Sequence, residues 1–223
     1  MSYEANHTPR FHAVRNWIFD LDNTLYPPSA NLFAQIDVRM NTFISRELGV
    51  VANEASELRR RYWREHGTTM EGLRLHHGIS PEAFLAEAHA IDYSVLRHDP
   101  GLASEIARLP GRRIIHTNGP RCHAEAALKA LGYLELFDDV FALEDAGLVS
   151  KPHADAFRAV YEAAEIEPSE SAMIEDDARN LLVPHSQSVQ TIWLDHDDQH
   201  AAPEHVGHHI GNLKVFLAGI EPA

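Results

Sequence analysis

The stretch VRNWIFDLD is an apolar run that leads into two aspartates one residue apart, followed by Asn, Thr and a pair of prolines. A short run of β-formers ending in polar residues predicts a buried strand. Beyond the prolines the period changes. Leu32, Phe33, Ile36, Met40, Phe43, Ile44 and Leu48 recur at helical spacing. ANEASELRRRYWREHG reads as a second helix, with Asn53 as its N-cap and its end near Gly67. SPEAFLAEAHAID opens on Ser80 as N-cap, with Pro81 at the first helical position. Residues 28–95 therefore read as helical, with no strand inside. Phe33, Met40, Phe43, Tyr62 and Trp63 are expected to supply the core of that block.

The pattern then alternates. RRIIHTNG predicts a strand ending in Thr-Asn-Gly, and AEAALKALGYLELF a helix followed by a turn. DDVFAL is a short strand, HADAFRAVYEAAEI a helix, SAMIEDD a strand, ARNLLVPHSQ a helix and VQTIWLD another strand. Alternation of this kind implies a parallel sheet with helices on both faces. The expected architecture is an α/β core, residues 1–27 and 100–223, with a small all-helical domain, residues 28–99, inserted after the first strand.

Composition narrows the function classes. With 19 Lys+Arg against 33 Asp+Glu, the 223-residue chain carries a formal net charge of −14. That balance argues against nucleic acid and anionic membranes as partners. A single cysteine, Cys122, allows no intrachain disulfide. No apolar run approaches the ~18 residues of a membrane span, and the polar N-terminus lacks a signal-peptide pattern. The expected location is the cytoplasm. The histidines of LDHDDQHAAPEHVGHH lack metal-ligand spacing and read as a solvated loop before a last short strand.

In parallel sheets, ligands bind beyond the carboxyl ends of the strands. Asp20 and Asp22 follow the first strand, Thr117 and Asn118 follow the second, Glu175, Asp176 and Asp177 end a later one, and Lys151 precedes a helix. Hard oxygen ligands from Asp20 and Asp176 suit Mg²⁺, which would offset the repulsion between adjacent carboxylates. Lys151 supplies a second positive charge, and Thr117 and Asn118 can donate to phosphate oxygens. Asp20 then reads as a nucleophile toward phosphorus. Asp22 reads as the group that protonates the leaving oxygen and later deprotonates water.

DLDNT, Thr117 at a strand end, Lys151 before a proline and the acidic EDD, in that order, resemble the haloacid dehalogenase superfamily of phosphohydrolases over residues 14–195. DLDNTLYP, REHGTTMEGL, LPGRRIIHTNG, HAEAALKALG and MIEDDARNL narrow the resemblance to the pyrimidine 5′-nucleotidase branch. It implies a Rossmann-like core with a helical cap and Mg²⁺ at Asp20, Asp22 and Asp176, with Glu175 a further candidate. Catalysis would fall to Asp20, Asp22 and Lys151, and phosphate binding to Thr117, Asn118 and Lys151. The implied activity is hydrolysis of a small phosphorylated metabolite, a pyrimidine nucleoside 5′-monophosphate, through an aspartyl-phosphate. Thr68 and Thr69 of HGTTMEGL, read as a polar loop between cap helices, could contact a base or ribose edge. Two positions depart from the branch: Asp177 stands where many relatives have Ser, and PHSQSVQTIWL lacks a common glycine.

Other readings fit less well. A sugar-phosphate or pyridoxal-phosphate phosphatase, or a phosphomutase, would keep the same motifs with a different cap. A dehalogenase would lack an acid at position 22. The full motif set argues against a catalytically silent binding protein. A cysteine phosphatase would need Arg at position 128, which is Leu, and no P-loop is present.

Overall fold

Strand β1 (Asn16–Phe19) is buried at all four positions, as expected of a strand covered on both faces. The computed structural model describes residues 11–197 and 199–220. Trp17 packs against Phe11 with ring centroids 5.2 Å apart, and Phe19 against Phe137 at 5.5 Å. Ile18, between them in sequence, points the other way, into a cluster with Ile114, Phe157, Val160 and Met173. This alternation is the period of a strand.

The remaining strands are β2 (Arg112–His116), β3 (Asp139–Phe141), β4 (Ser171–Glu175), β5 (Gln190–Leu194) and β6 (His208–Ile210). All pairings are parallel, in the order β3-β2-β1-β4-β5-β6. The chain thus builds β2 and β3 on one side of β1 and β4, β5 and β6 on the other. The reversal places the ends of β1, β2 and β4 side by side, where such sheets bind ligands.

The chain forms two compact units, one taking in the chain up to Pro27 and from Leu96 onward, the other Pro28–Val95. The second unit holds helices α1 (Leu32–Leu48), α2 (Ala52–His66), α3 (Thr69–His77) and α4 (Pro81–Ala88). Ser80 caps α4 and Pro81 opens it, as the sequence indicates. Helix α2 begins at Ala52 after Val51, so Asn53 lies inside the first turn and is not the cap. Phe43 and Tyr62 are buried, and Phe43 meets Phe84 edge to face at 5.3 Å. Phe33 and Trp63, expected in the same core, are 48% and 54% exposed. Each is the helical neighbour of a buried residue, Leu32 and Tyr62, and adjacent helical positions point about 100° apart.

Residues 69–77 are helix α3, capped by Thr68, where the sequence suggested a polar loop. Gly72 lies within it, and a Cβ there would stand 2.3 Å from Cβ and Cγ of Tyr62 on α2. The two helices meet through the missing side chain.

The other helices, α5 (Pro100–Ala107), α6 (Arg121–Leu131), α7 (Ala154–Ala163), α8 (Leu182–Ser186) and α9 (Leu213–Ala218), belong to the sheet unit. Among the described residues, no helix is long and apolar enough to cross a membrane.

Gly72→Ala tests the α2–α3 contact. Helix propensity alone favours Ala by about 1 kcal/mol. Overpacking against Tyr62, at about 1–3 kcal/mol, should outweigh this and give a net loss of up to about 2 kcal/mol in urea denaturation. A gain in stability would show that the helices part without cost.

Candidate active site

β1 delivers Asp20 to the centre of the sheet's carboxyl edge. Its backbone N–H still donates to Ile174 O at 2.9 Å, which holds the residue to β4. Its carboxylate is buried. One oxygen, Oδ1, accepts from Lys151 Nζ at 2.7 Å, and the other, Oδ2, from the Thr24 hydroxyl at 3.2 Å.

Lys151 is fully buried and uses three donors on three acceptors: Asp20 Oδ1 at 2.7 Å, Glu175 Oε2 at 2.7 Å and the His116 carbonyl at 2.8 Å. These are the ends of β1, β4 and β2. Burial opposes the ammonium charge, yet Asp20 and Glu175 outweigh it and raise the lysine pKa. The side chain stays charged.

Asp20, Glu175 and Asp176 can place one carboxylate oxygen each within 4.8 Å of the others. Burial pushes Asp20 up to about 6, against the pull of Lys151 and with the help of Asp176 and Asp22. Burial and the Asp20 charge hold Glu175 well above the usual range, and burial raises Asp176 as well. Three carboxylates against one ammonium leave two negative charges when all are ionised. A divalent cation would balance them, and the all-oxygen donor set fits a hard ion such as Mg²⁺.

Asp176 is set by two neighbours. Asn23, in a left-handed conformation at φ 59°, donates its side chain to the carboxylate. Trp193 of β5 donates Nε1–H to the Asp176 carbonyl at 2.8 Å. Asp177 caps the 3₁₀ turn Ala178–Leu181 and pairs with Arg179 at 2.6 Å. Its burial would raise the pKa, but Arg179 overrides this and lowers it. The departure from Ser thus retains a helix-capping side chain.

The hydrogen bonds of Asp22 run to other groups. Its Oδ1 stands 2.6 Å from Nε2 of His123 and accepts from the Tyr26 hydroxyl. Its Oδ2 faces the Thr117 hydroxyl at 3.5 Å. Among the described residues, the grouping that could hold a metal does not include the Asp22 side chain.

The sequence model of the haloacid dehalogenase-like hydrolases matches residues 14–183, which contain Asp20, Asp22, Thr117, Lys151, Glu175 and Asp176. The chain belongs to that family of hydrolases. Its curated relatives include Phosphate metabolism protein 8 of Saccharomyces cerevisiae, 27% identical over 140 residues, 57% of this chain and 43% of that protein. Validoxylamine A 7′-phosphate phosphatase of Streptomyces hygroscopicus subsp. limoneus is 31% identical over 78 residues, 35% of this chain and 36% of that protein. The similarity therefore spans less than half the length of these relatives. In fold, the chain is similar to a HAD phosphatase from Thermococcus onnurineus, with a TM-score of 0.64 at 19% identity over 93% of this chain and 99% of that one. It is similar also to L-2-haloacid dehalogenase from Xanthobacter autotrophicus, with a TM-score of 0.56 at 16% identity over 92% of this chain and 97% of that one.

Within this haloacid dehalogenase-like hydrolase, Asp20, Lys151, Glu175 and Asp176 come together, and Asp22 and Thr117 meet each other. Asn118 does different work from the phosphate contact expected of its side chain. Its amide accepts from Lys151 N at 2.7 Å and donates to Lys151 O at 3.1 Å, clamping the lysine's backbone to the end of β2. Both threonine hydroxyls of the helical unit have local partners. Thr68 accepts from Glu71 N at 3.1 Å, and buried Thr69 donates to Arg59 O at 3.1 Å. They serve the folding of α2 and α3, so the suggested base contact loses its loop.

Sequence reasoning passed over Tyr26 and His123. The available signal was a histidine on the apolar stripe of α6, shared with Ala124, Ala127, Leu128 and Leu131. The histidines near the C-terminus take structural bonds: His205 to Ala178 O at 2.7 Å, and His200 and His209 to Asp195 at 3.0 and 3.2 Å.

Lys151→Met should cost about 3–5 kcal/mol at pH 7, because it leaves buried carboxylates without their counter-charge. The loss should shrink at pH 5, where carboxyls with raised pKa values take up protons. Urea denaturation at both pH values decides. An equal loss at both would assign the effect to packing.

Proposed function

We propose that this hydrolase is a Mg²⁺-dependent phosphomonoesterase acting on a small phosphorylated metabolite, with pyrimidine nucleoside 5′-monophosphates as the substrate class. The observation that carries the reading is Asp22, a second carboxylate at the exit of β1, fixed by His123 and Tyr26. A halide leaves as a stable anion and needs no proton. The alkoxide of a phosphate ester does need one, and Asp22 would supply it. A relative named as a phosphate phosphatase supports the same chemistry. The pyrimidine class rests on the motif resemblance, DLDNTLYP and MIEDDARNL above all.

An Asp20 oxygen attacks phosphorus, the P–O ester bond breaks, and the leaving oxygen takes the proton of Asp22. This forms an aspartyl-phosphate and leaves Asp22 as a carboxylate. Asp22 then removes a proton from water, whose oxygen attacks phosphorus. Inorganic phosphate leaves, Asp20 is restored and Asp22 is again protonated. Lys151 keeps Asp20 oriented and adds positive charge beside the transferring group. Asp20, Glu175 and Asp176 would hold Mg²⁺, which supplies charge stabilisation to the phosphoryl oxygens when bound.

Phosphate release from 4-nitrophenyl phosphate, UMP and CMP tests the reading, with 2-chloropropionate as the dehalogenase control. Asp20→Asn should lower the rate about 10³-fold or more while leaving the protein folded. Chloride release without phosphate release would overturn the assignment. Preference for purine over pyrimidine monophosphates would remove the narrower substrate class.

Metal binding has its own readout. Asp20 holds its proton up to about pH 6, so below that value the proton competes with the cation. The Mg²⁺-induced rise in melting temperature should therefore be larger at pH 7 than at pH 5. A shift independent of pH, or one retained in Asp176→Asn, would place the ion elsewhere.

A further inference from the structure

We propose that His123 is a positioning residue for Asp22, fixing one carboxyl oxygen so that the other is held toward Thr117 and the reacting ester. The inference rests on the phosphatase reading above.

The contact is long-range and closely set. His123 Nε2 lies 2.6 Å from Asp22 Oδ1, across 101 residues of chain. The imidazole is 1% exposed, while the Asp22 side chain is 15% exposed. A buried imidazole on an otherwise apolar helix stripe is costly unless its ring nitrogens are paired, and one of them is spent on this carboxyl. The backbone delivers it there. α6 starts directly after the Thr117–Pro120 turn, and His123 N donates to Pro120 O at 3.0 Å in its first turn.

Two further observations fix the geometry. Tyr26 donates its hydroxyl to the same Oδ1, so that oxygen is held from two directions. An ionised carboxylate only accepts, so His123 then presents N–H at Nε2. At Gly119, an added Cβ would stand 2.9 Å from His123 Cδ2, 3.3 Å from Thr117 Oγ1 and 3.6 Å from Asp22 Oδ2. The ring, the hydroxyl and the carboxyl close around that glycine, which leaves the imidazole little room to move. A carboxyl with Oδ1 pinned cannot rotate its other oxygen away from the leaving group, and misplacement by about 1 Å can cost roughly 100-fold in rate.

The test compares esters whose leaving groups differ in their need for a proton. kcat/KM reports events up to departure of the leaving group, so it isolates the step in which Asp22 acts as acid. His123→Leu should lower kcat/KM for glycerol phosphate about 100-fold. It should lower kcat/KM for 4-nitrophenyl phosphate only about a few-fold, because the phenolate departs unaided. His123→Gln, whose amide can donate to the same oxygen, should recover about half of that loss on a logarithmic scale. In an Asp22→Asn background, His123→Leu should add no further loss.

An equal loss on both esters without recovery in His123→Gln, no loss at all, or an undiminished effect in the Asp22→Asn background would overturn the role. If His123→Leu does not fold, Tyr26→Phe, which removes the second donor without opening a cavity, must show the same leaving-group-selective loss or the proposal fails. A wild-type protein inert toward both esters would overturn the phosphatase reading and the positioning role with it. An active wild type with indifferent variants would overturn the positioning role alone.

Discussion

One buried ammonium holds the carboxyl edge of the sheet together. Lys151 reaches the ends of β1, β2 and β4 through Asp20, the His116 carbonyl and Glu175. Carboxylates so buried would lose solvation without compensation, and the penalty for an unpaired buried charge is several kcal/mol. The lysine itself would be equally costly alone. Each is tolerable only because the other is present and because all three ammonium donors find acceptors. The lysine's position is fixed in turn by Asn118, whose side-chain amide binds both the N–H and the carbonyl of Lys151. A charge that ties three strands must not wander, and this two-point backbone clamp prevents it.

The pairing leaves the site short of positive charge. Asp20, Glu175 and Asp176 outnumber Lys151, and all three have raised pKa values for which burial is the leading cause. A surface cluster would relax by turning outward. Here Asp20 and Glu175 are held by strand ends, and Asp176 is fixed by Asn23 and by Trp193 at its carbonyl. The unfavourable charge is built in, and a cation or a set of protons must answer it. Such stored electrostatic cost at a strand edge is usual for sites that bind and turn over charged ligands.

Much of this was legible in the sequence, for a physical reason. Apolar runs fix where buried strands lie, and the first polar residues after them must sit at the sheet's edge. Asp20, Thr117, Glu175 and Asp176 follow from that rule, and the parallel pairing of the strands from the alternation of strand and helix. What was not legible depends on where side chains turn. Asn118 stands at a strand end, yet it binds backbone across a gap of 33 residues. Thr68 and Thr69 look like polar loop residues, yet they open a helix. Phe33 and Trp63 satisfy a count of aromatic residues but fall off the buried stripe. His123 meets Asp22 through a contact 101 residues long, which no local period encodes.

The two aspartates of DLDNT, separated by one residue, end in different surroundings. Leu21 between them is fully buried and anchors the turn, its carbonyl accepting from Thr24 and Leu25 amides at 3.2 and 3.0 Å. On one side Asp20 joins the carboxylates that end β4 and the ammonium of Lys151. On the other Asp22 joins groups that follow β2, Thr117 and His123. The first environment holds fixed charge, with a cation-hungry cluster behind the carboxylate. The second holds hydrogen-bonding groups, an imidazole, a phenol and a hydroxyl, which orient a carboxyl. Identical side chains thus acquire different chemistry from their neighbours alone. The division follows from topology. β1 lies between β2 and β4, so the residues leaving its end are shared between two flanking strands that carry different kinds of polar group.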